Sequence, residues 1–123
     1  MCLHGGIPSP GSCPDDFIST VNDIPTPLND PETESPLAWE IMWNDPFSNE
    51  GNGIIQMPSG ASNGFFNNVR RSTGNYFTNE ALMSFLEKNN FTHVIRAHEV
   101  QQVGFKVCRR TVISAINKES FRF

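Results

Sequence analysis

No lysine or arginine occurs in the first 69 residues of this 123-residue chain, and the first cation is Arg70. The N-terminus, Met1-Cys2-Leu3-His4-Gly5-Gly6, therefore lacks the basic region of a secretory signal, and it lacks the apolar region as well. No apolar run is longer than three residues, which excludes a membrane-spanning helix of about 20 residues. An intracellular chain, cytoplasmic or nuclear, is expected, with no membrane partner. Cysteine is scarce too. Cys2, Cys13 and Cys108 are an odd set, so a complete disulfide framework is not expected. Zinc sites need close paired ligands, and Cys2, His4 and Cys13 do not have that spacing. The thiols read as reduced, with Cys108 a small core residue in an alternating segment.

What is present is unevenly placed. Nine acids and no cations in residues 1–69 give −9, while nine cations and four acids in residues 70–123 give +5, which sum to the net charge of −4. The basic half could face phosphate groups, or the two halves could pack together and neutralise each other. Nine Pro and nine Gly point to turns and long loops and away from a helical bundle. The length suits a single domain.

Residues 1–36 are Pro-rich, acidic and without sustained periodicity, and Asp15 to Val21 is the one short stretch there that suits a helix. Leu37 to Trp43 forms an apolar segment that stops at the turn signal Asn44-Asp45-Pro46. Residues 48–64, rich in Ser, Asn and Gly, read as a mobile loop insertion. Ala81, Leu82, Phe85 and Leu86 share one helical face, which predicts a helix over 78–89. Thr78 suits its N-cap, Glu80 and Lys88 its dipole, and Asn89-Asn90 its end. Phe91 to His98 reads as a strand running into a loop. Phe105–Cys108 and Thr111–Ala115 read as two strands of a hairpin turning at Arg109-Arg110.

Three residues suggest chemistry. His4 precedes two glycines, which let a backbone approach a ligand closely. His98 sits at a predicted strand end, and Arg71 lies in a Gly/Asn-rich turn where a guanidinium could grip phosphate through two parallel bonds. Two histidines and an arginine suit a metal-assisted phosphoryl site. Each histidine taken alone also fits an ordinary surface or core role.

The order of the motifs adds a resemblance. Cys2-Leu3-His4-Gly5-Gly6-Ile7-Pro8-Ser9-Pro10 resembles the Cys-x-His-Gly-Gly-Leu-Ser-Pro segment of the phosphoprotein phosphatase family, the protein Ser/Thr phosphatases of types 1, 2A, 2B and 5. Met42-Trp43-Asn44-Asp45-Pro46 resembles its Leu-Trp-Ser-Asp-Pro. Asn68-Val69-Arg70-Arg71 with the helix from Thr78 is similar to its Asn-Asp-Arg-Gly segment and following helix. Val94-Ile95-Arg96-Ala97-His98-Glu99 is similar to its Arg-Ala-His-Gln/Glu segment, followed by Gly104-Phe105.

The resemblance implies an α+β fold, part of a four-layer metallophosphoesterase β-sandwich flanked by helices, of which this chain is the C-terminal half. It makes His4 and His98 ligands of one metal of a dinuclear Mn, Fe or Zn centre, and Arg71 the residue that binds substrate phosphate. Asp45 and Trp43 look structural, while His93 and Glu99 receive no role. The implied activity is direct hydrolysis of phosphoserine or phosphothreonine in proteins, with phosphoprotein substrates and regulatory subunits as partners. The family's Gly-Asp-x-His-Gly, Gly-Asp-x-x-Asp-Arg-Gly and Gly-Asn-His-Glu motifs are not in this sequence. With them the first-metal ligands, the bridging Asp and the His-Asp acid pair are missing, so no catalytic residue is assigned. Ser114-Ala115-Ile116-Asn117-Lys118 stands where the family has Ser-Ala-Pro-Asn-Tyr, with Lys in place of the tyrosine. The isolated chain is expected to be inactive and to leave one face of its strands uncovered. A degenerate phosphatase-like remnant that only binds other proteins is the alternative. Nucleic-acid binding is disfavoured, because the acidic half opposes it and no basic face carries interleaved aromatics.

Overall fold

Two small sheets and four short helices pack around aromatic and aliphatic side chains in a computed structural model. It describes residues 1–47, 63–102, 104–108 and 111–114. Strands β1 (Cys2–Leu3), β5 (Val94–Arg96), β6 (Phe105–Cys108) and β7 (Thr111–Ser114) form one sheet in the order β1-β5-β7-β6. The β1–β5 and β5–β7 pairs are parallel, and β6–β7 is antiparallel. Strands β2 (Asp45–Pro46), β3 (Phe65–Asn67) and β4 (Asn75–Phe77) form a second sheet in the order β2-β4-β3. This second sheet is not foreseen from the sequence. Its strands are only two or three residues long, too short to show a period of two.

The predicted central helix is present as α4 (Asn79–Lys88). Thr78 caps it, its hydroxyl accepting the Ala81 N–H at 3.2 Å. Asn90 ends it at φ 57°. Its N–H reaches the Glu87 carbonyl at 3.2 Å and that of Phe91 the Leu86 carbonyl at 2.9 Å, the paired bonds that close a helix on a left-handed residue. Ala81, Leu82 and Leu86 of α4 join Ile7, Phe77 and Val94 in the main core.

The first 36 residues are more ordered than their composition suggests. Helix α1 (Phe17–Asn22) begins where Asp16 accepts the Ser19 N–H at 2.8 Å, and it buries Phe17 edge-on against Phe85 at 5.2 Å. One turn of helix follows as α2 (Pro31–Glu34). The Trp-rich segment is also helical, as α3 (Pro36–Trp43). Ser35 caps it and Pro36 fills the first position, where a missing N–H costs nothing. The strand expected over Phe91–His98 narrows to Val94–Arg96, since Asn90 and Phe91 are used to close α4.

The mobile insertion expected over 48–64 lies outside the described residues except for Asn63 and Gly64, which form a turn. The turn expected at Arg109-Arg110, the side chain of Cys108 and residues 115–123 also lie outside them. Cys13 is buried and Cys2 exposed, both as free thiols. Among the described residues, no helix is long and apolar enough to cross a membrane.

Candidate functional site

Parallel pairing of β1 with β5 sets Cys2 beside Ile95 and Leu3 beside Arg96. The pairing runs one residue further, with the Ala97 N–H donating to the His4 carbonyl at 3.1 Å. Both chains then leave the sheet at the same end, so His4 and His98 emerge together. His4 Nε2 lies 3.0 Å from His98 Nδ1, with the rings edge-to-face. His98 adopts φ 71°, a left-handed conformation that a side-chain-bearing residue holds only when its surroundings enforce it.

The glycines after His4 have a steric cause. The N–H groups of Gly5 and Gly6 both donate to the Ile41 carbonyl, at 2.8 and 3.3 Å, and so satisfy an unpaired acceptor in the last turn of α3. A β-carbon on Gly5 would stand 2.5 Å from the Met42 carbonyl oxygen, and one on Gly6 would stand 2.7 Å from that of Asn44. Only glycine lets the His4 segment lie this close to the helix end.

Beneath the histidines is a buried charge cluster. Asp45, at the start of β2, accepts from Asn68 Nδ2 at 2.9 Å, from Arg96 Nη2 at 2.5 Å, and from Arg71 through both Nε and Nη2. Burial alone would raise its carboxyl, but the Arg71 and Arg96 guanidiniums and the Asn68 amide hold it below the usual carboxylate range. Arg71 also donates Nη2 to the His98 carbonyl at 3.3 Å. Its bonds run from Nε and Nη2, so among the described residues Nη1 is the part of the fork left for a ligand. Arg70 is half-exposed and reaches Glu99 at 3.4 Å. Trp43 packs edge-on against the His98 ring at 5.4 Å.

The structure therefore brings the three sequence-selected residues into one place, with Arg71 anchored on the backbone of His98. It also joins the charge halves, since Asp45 of the acidic half holds Arg71 and Arg96 of the basic half. Arg96 is the participant that the sequence hides. It is 1 % exposed, and apart from its place in the Arg-Ala-His segment its sequence sign is a charged residue in phase with buried Val94. Glu99, given no role from the sequence, is tied to both Arg70 and Arg96. His93 is exposed and stands apart from the pair.

Burial, then the Arg71 guanidinium and the facing His4 ring, push His98 down to about 4, so its imidazole is neutral at physiological pH, as a metal ligand must be. In the metal-free chain this has a signed consequence. Between about pH 6.5 and pH 4 the unfolded chain holds a proton on His98 that the folded chain lacks. Stability is expected to fall as pH drops through that window. Urea titrations at successive pH values should show the slope, and His98→Asn should flatten it.

The donor set fits a metal in part. Two imidazole nitrogens bound to one ion, each about 2.1 Å from it, stand about 3.0–3.4 Å apart, which brackets the observed separation. His98 Nε2 is buried without a partner. Among the described residues, no three His, Cys, Asp or Glu side chains gather around a metal-sized space, because the nearby carboxylates are committed to arginines. Two donors are fewer than the four or more that a stable centre uses.

A model of the calcineurin-like phosphoesterase family matches residues 1–102. The chain belongs to this family. Two relatives are Ser/Thr phosphatases. The catalytic subunit A1 of Saccharomyces cerevisiae serine/threonine-protein phosphatase 2B is 27% identical over 121 residues, covering 93% of this chain and 20% of that protein. Human serine/threonine-protein phosphatase 5 is 26% identical over 121 residues, covering 95% and 20%. A solved S. cerevisiae protein serine/threonine phosphatase, described as similar to human phosphatase PP5, superposes with a TM-score of 0.59 at 21% identity, over 93% of this chain and 30% of that one. This calcineurin-like phosphoesterase chain thus has the α+β fold of a metallophosphoesterase and spans about one fifth of the length of the two relatives named.

Proposed function

We propose that the chain is the C-terminal part of a protein Ser/Thr phosphatase catalytic domain of the cytosol or nucleus, acting on phosphoserine and phosphothreonine in proteins. The observation that carries this reading is the 3.0 Å approach of His4 Nε2 to His98 Nδ1 beside the anchored Arg71. His4 and His98 hold one metal of a dinuclear Mn, Fe or Zn centre, and the remaining ligands come from outside the described residues. Such a centre supplies Lewis acidity toward a phosphoryl group and a nucleophile at neutral pH. The chain's own part is to present two imidazoles from the ends of neighbouring strands, that of His98 neutral, and one cation beside them. Arg71 meets substrate phosphate through Nη1 while Asp45 fixes the rest of its fork, so little side-chain entropy is lost on binding.

The 123-residue chain with added Mn²⁺ is expected to release no phosphate from a phosphopeptide. Mn²⁺ should nevertheless broaden the ring signals of His4 and His98 before those of His93, the third histidine of the chain. Equal broadening of all three would overturn the site. Robust turnover that disappears in His98→Ala would overturn the view that the chain carries only part of the machinery.

A further inference from the structure

We propose that Arg96 is the positioning residue that holds the His4 and His98 rings together. The proposal rests on the reading above in taking this pair as the site, and it adds the group that builds it. The two histidines are 94 positions apart in sequence, and strand pairing ends at the residues just before the rings. Beyond that point something else must fix both segments.

One guanidinium touches every part that has to be fixed. Its Nε donates to the carbonyl of Gly5, the residue after His4. Its Nη1 donates to Glu99 Oε2 at 2.7 Å, and Glu99 is the residue after His98. Its Nη2 donates to Asp45 Oδ1 at 2.5 Å. Asp45 in turn holds Arg71, which donates to the His98 carbonyl. Arg96 thus reaches the His4 side directly, and the His98 side both through Glu99 and through Asp45 and Arg71.

The geometry needs arginine and no other cation. Three acceptors are met in three directions by a flat, rigid fork that remains charged when buried. A lysine ammonium is a single point at the end of a flexible stem and cannot span Gly5, Asp45 and Glu99 together. Arg96 is also among the largest fully buried side chains of the described chain, so its orientation is set by packing as well as by its bonds. The left-handed φ of His98 is then explained. The Ala97 N–H before it is fixed on the His4 carbonyl, and the Glu99 N–H closes back on the Ala97 carbonyl at 2.9 Å. Arg71 holds the His98 carbonyl and Arg96 the Glu99 carboxylate, and between these anchors the ring is turned toward His4.

The test compares the full chain with Arg96→Lys and Glu99→Gln by long-range ¹H–¹⁵N spectra of the histidine rings without metal, and by Co²⁺ titration. In the wild type, His4 and His98 should give ring-nitrogen shifts of a hydrogen-bonded pair, distinct from those of exposed His93. Arg96→Lys should move both to His93-like values and weaken Co²⁺ binding at least tenfold, with the amide shifts of α4 unchanged. Glu99→Gln should move the His98 ring signals and weaken Co²⁺ binding about threefold. A folded Arg96→Lys that keeps the pair's ring shifts and its Co²⁺ affinity overturns the proposal. If Arg96→Lys does not fold, Glu99→Gln decides, and unchanged His98 ring signals there overturn it. Ring shifts that depend on Arg96 in a wild type that binds no Co²⁺ would support the positioning role while overturning the reading that this pair by itself takes up a metal.

Discussion

Asp45→Asn is expected to destabilise the chain by about 3–5 kcal/mol, the range found when one partner of a buried ion pair is removed. The substitution is nearly isosteric, so packing changes little and the loss is electrostatic. Asp45 is 2 % exposed and Arg96 is 1 % exposed, and Arg71 is anchored on the same carboxylate. Without its charge, two guanidiniums remain close together with Glu99 as the nearest compensation, and Glu99 is bonded to Arg96 and Arg70. Asn can still take the Asn68 amide in one orientation, yet it offers one acceptor where Asp45 offers two. A urea midpoint that falls by a large fraction of its value, with an unchanged slope, would bear this out. A loss below about 1 kcal/mol, as at exposed ion pairs, would show that the cluster is solvated and the argument wrong.

Gly5→Ala is expected to cost about 3 kcal/mol or more, at or above the upper end of ordinary overpacking. The reason is what the added carbon meets. It would lie 2.5 Å from the Met42 carbonyl oxygen, 2.6 Å from the Met42 carbonyl carbon and 2.8 Å from the Ile41 carbonyl oxygen. All three are backbone, in the last turn of α3, and cannot swing aside as a side chain can. Relief requires the His4 segment and the helix to part. That movement breaks the Gly5 and Gly6 bonds to Ile41 and carries His4 away from His98. Thermal unfolding should show the loss, and the ring-nitrogen shifts of the pair should disappear in whatever folded population remains. Gly11→Ala is the control, because a β-carbon there meets nothing nearer than the Ser9 hydroxyl at 3.8 Å. Equal effects at the two positions would refute the steric account.

The parts of this molecule that could be read from sequence are those with local causes. The helix from Asn79 carries its cap, its apolar face and its left-handed exit within a dozen residues, and all three are present. His4, Arg71 and His98 stood out because Gly, Asn and strand-end contexts expose side chains, and motif order placed them in one family. The remainder depended on distant partners. The Trp-rich segment is helical partly because Ser35 caps it and partly because Ile41 finds donors in Gly5 and Gly6, some 35 residues earlier in the chain. Strand β2 exists only as a neighbour of β4, with Asp45 beside Tyr76. Arg96 looks like an ordinary surface cation until the fold closes over it. An uncovered strand face is the expectation for this chain, and Ile95, Phe105 and Val107 are 42 %, 61 % and 57 % exposed.

The parallel union of β1 with β5 also has a consequence in time. Joining the first strand to one more than ninety residues later closes a long loop, an entropic cost that must be met before any contact repays it. Helix α4 and its capped turns can form early, but the histidine pair cannot exist until that closure is made. During synthesis His4 emerges first and waits for nearly the whole described chain to follow. The His4–His98 contact is therefore made late, and the ring-nitrogen shifts of the pair would serve as a clock for the completion of folding.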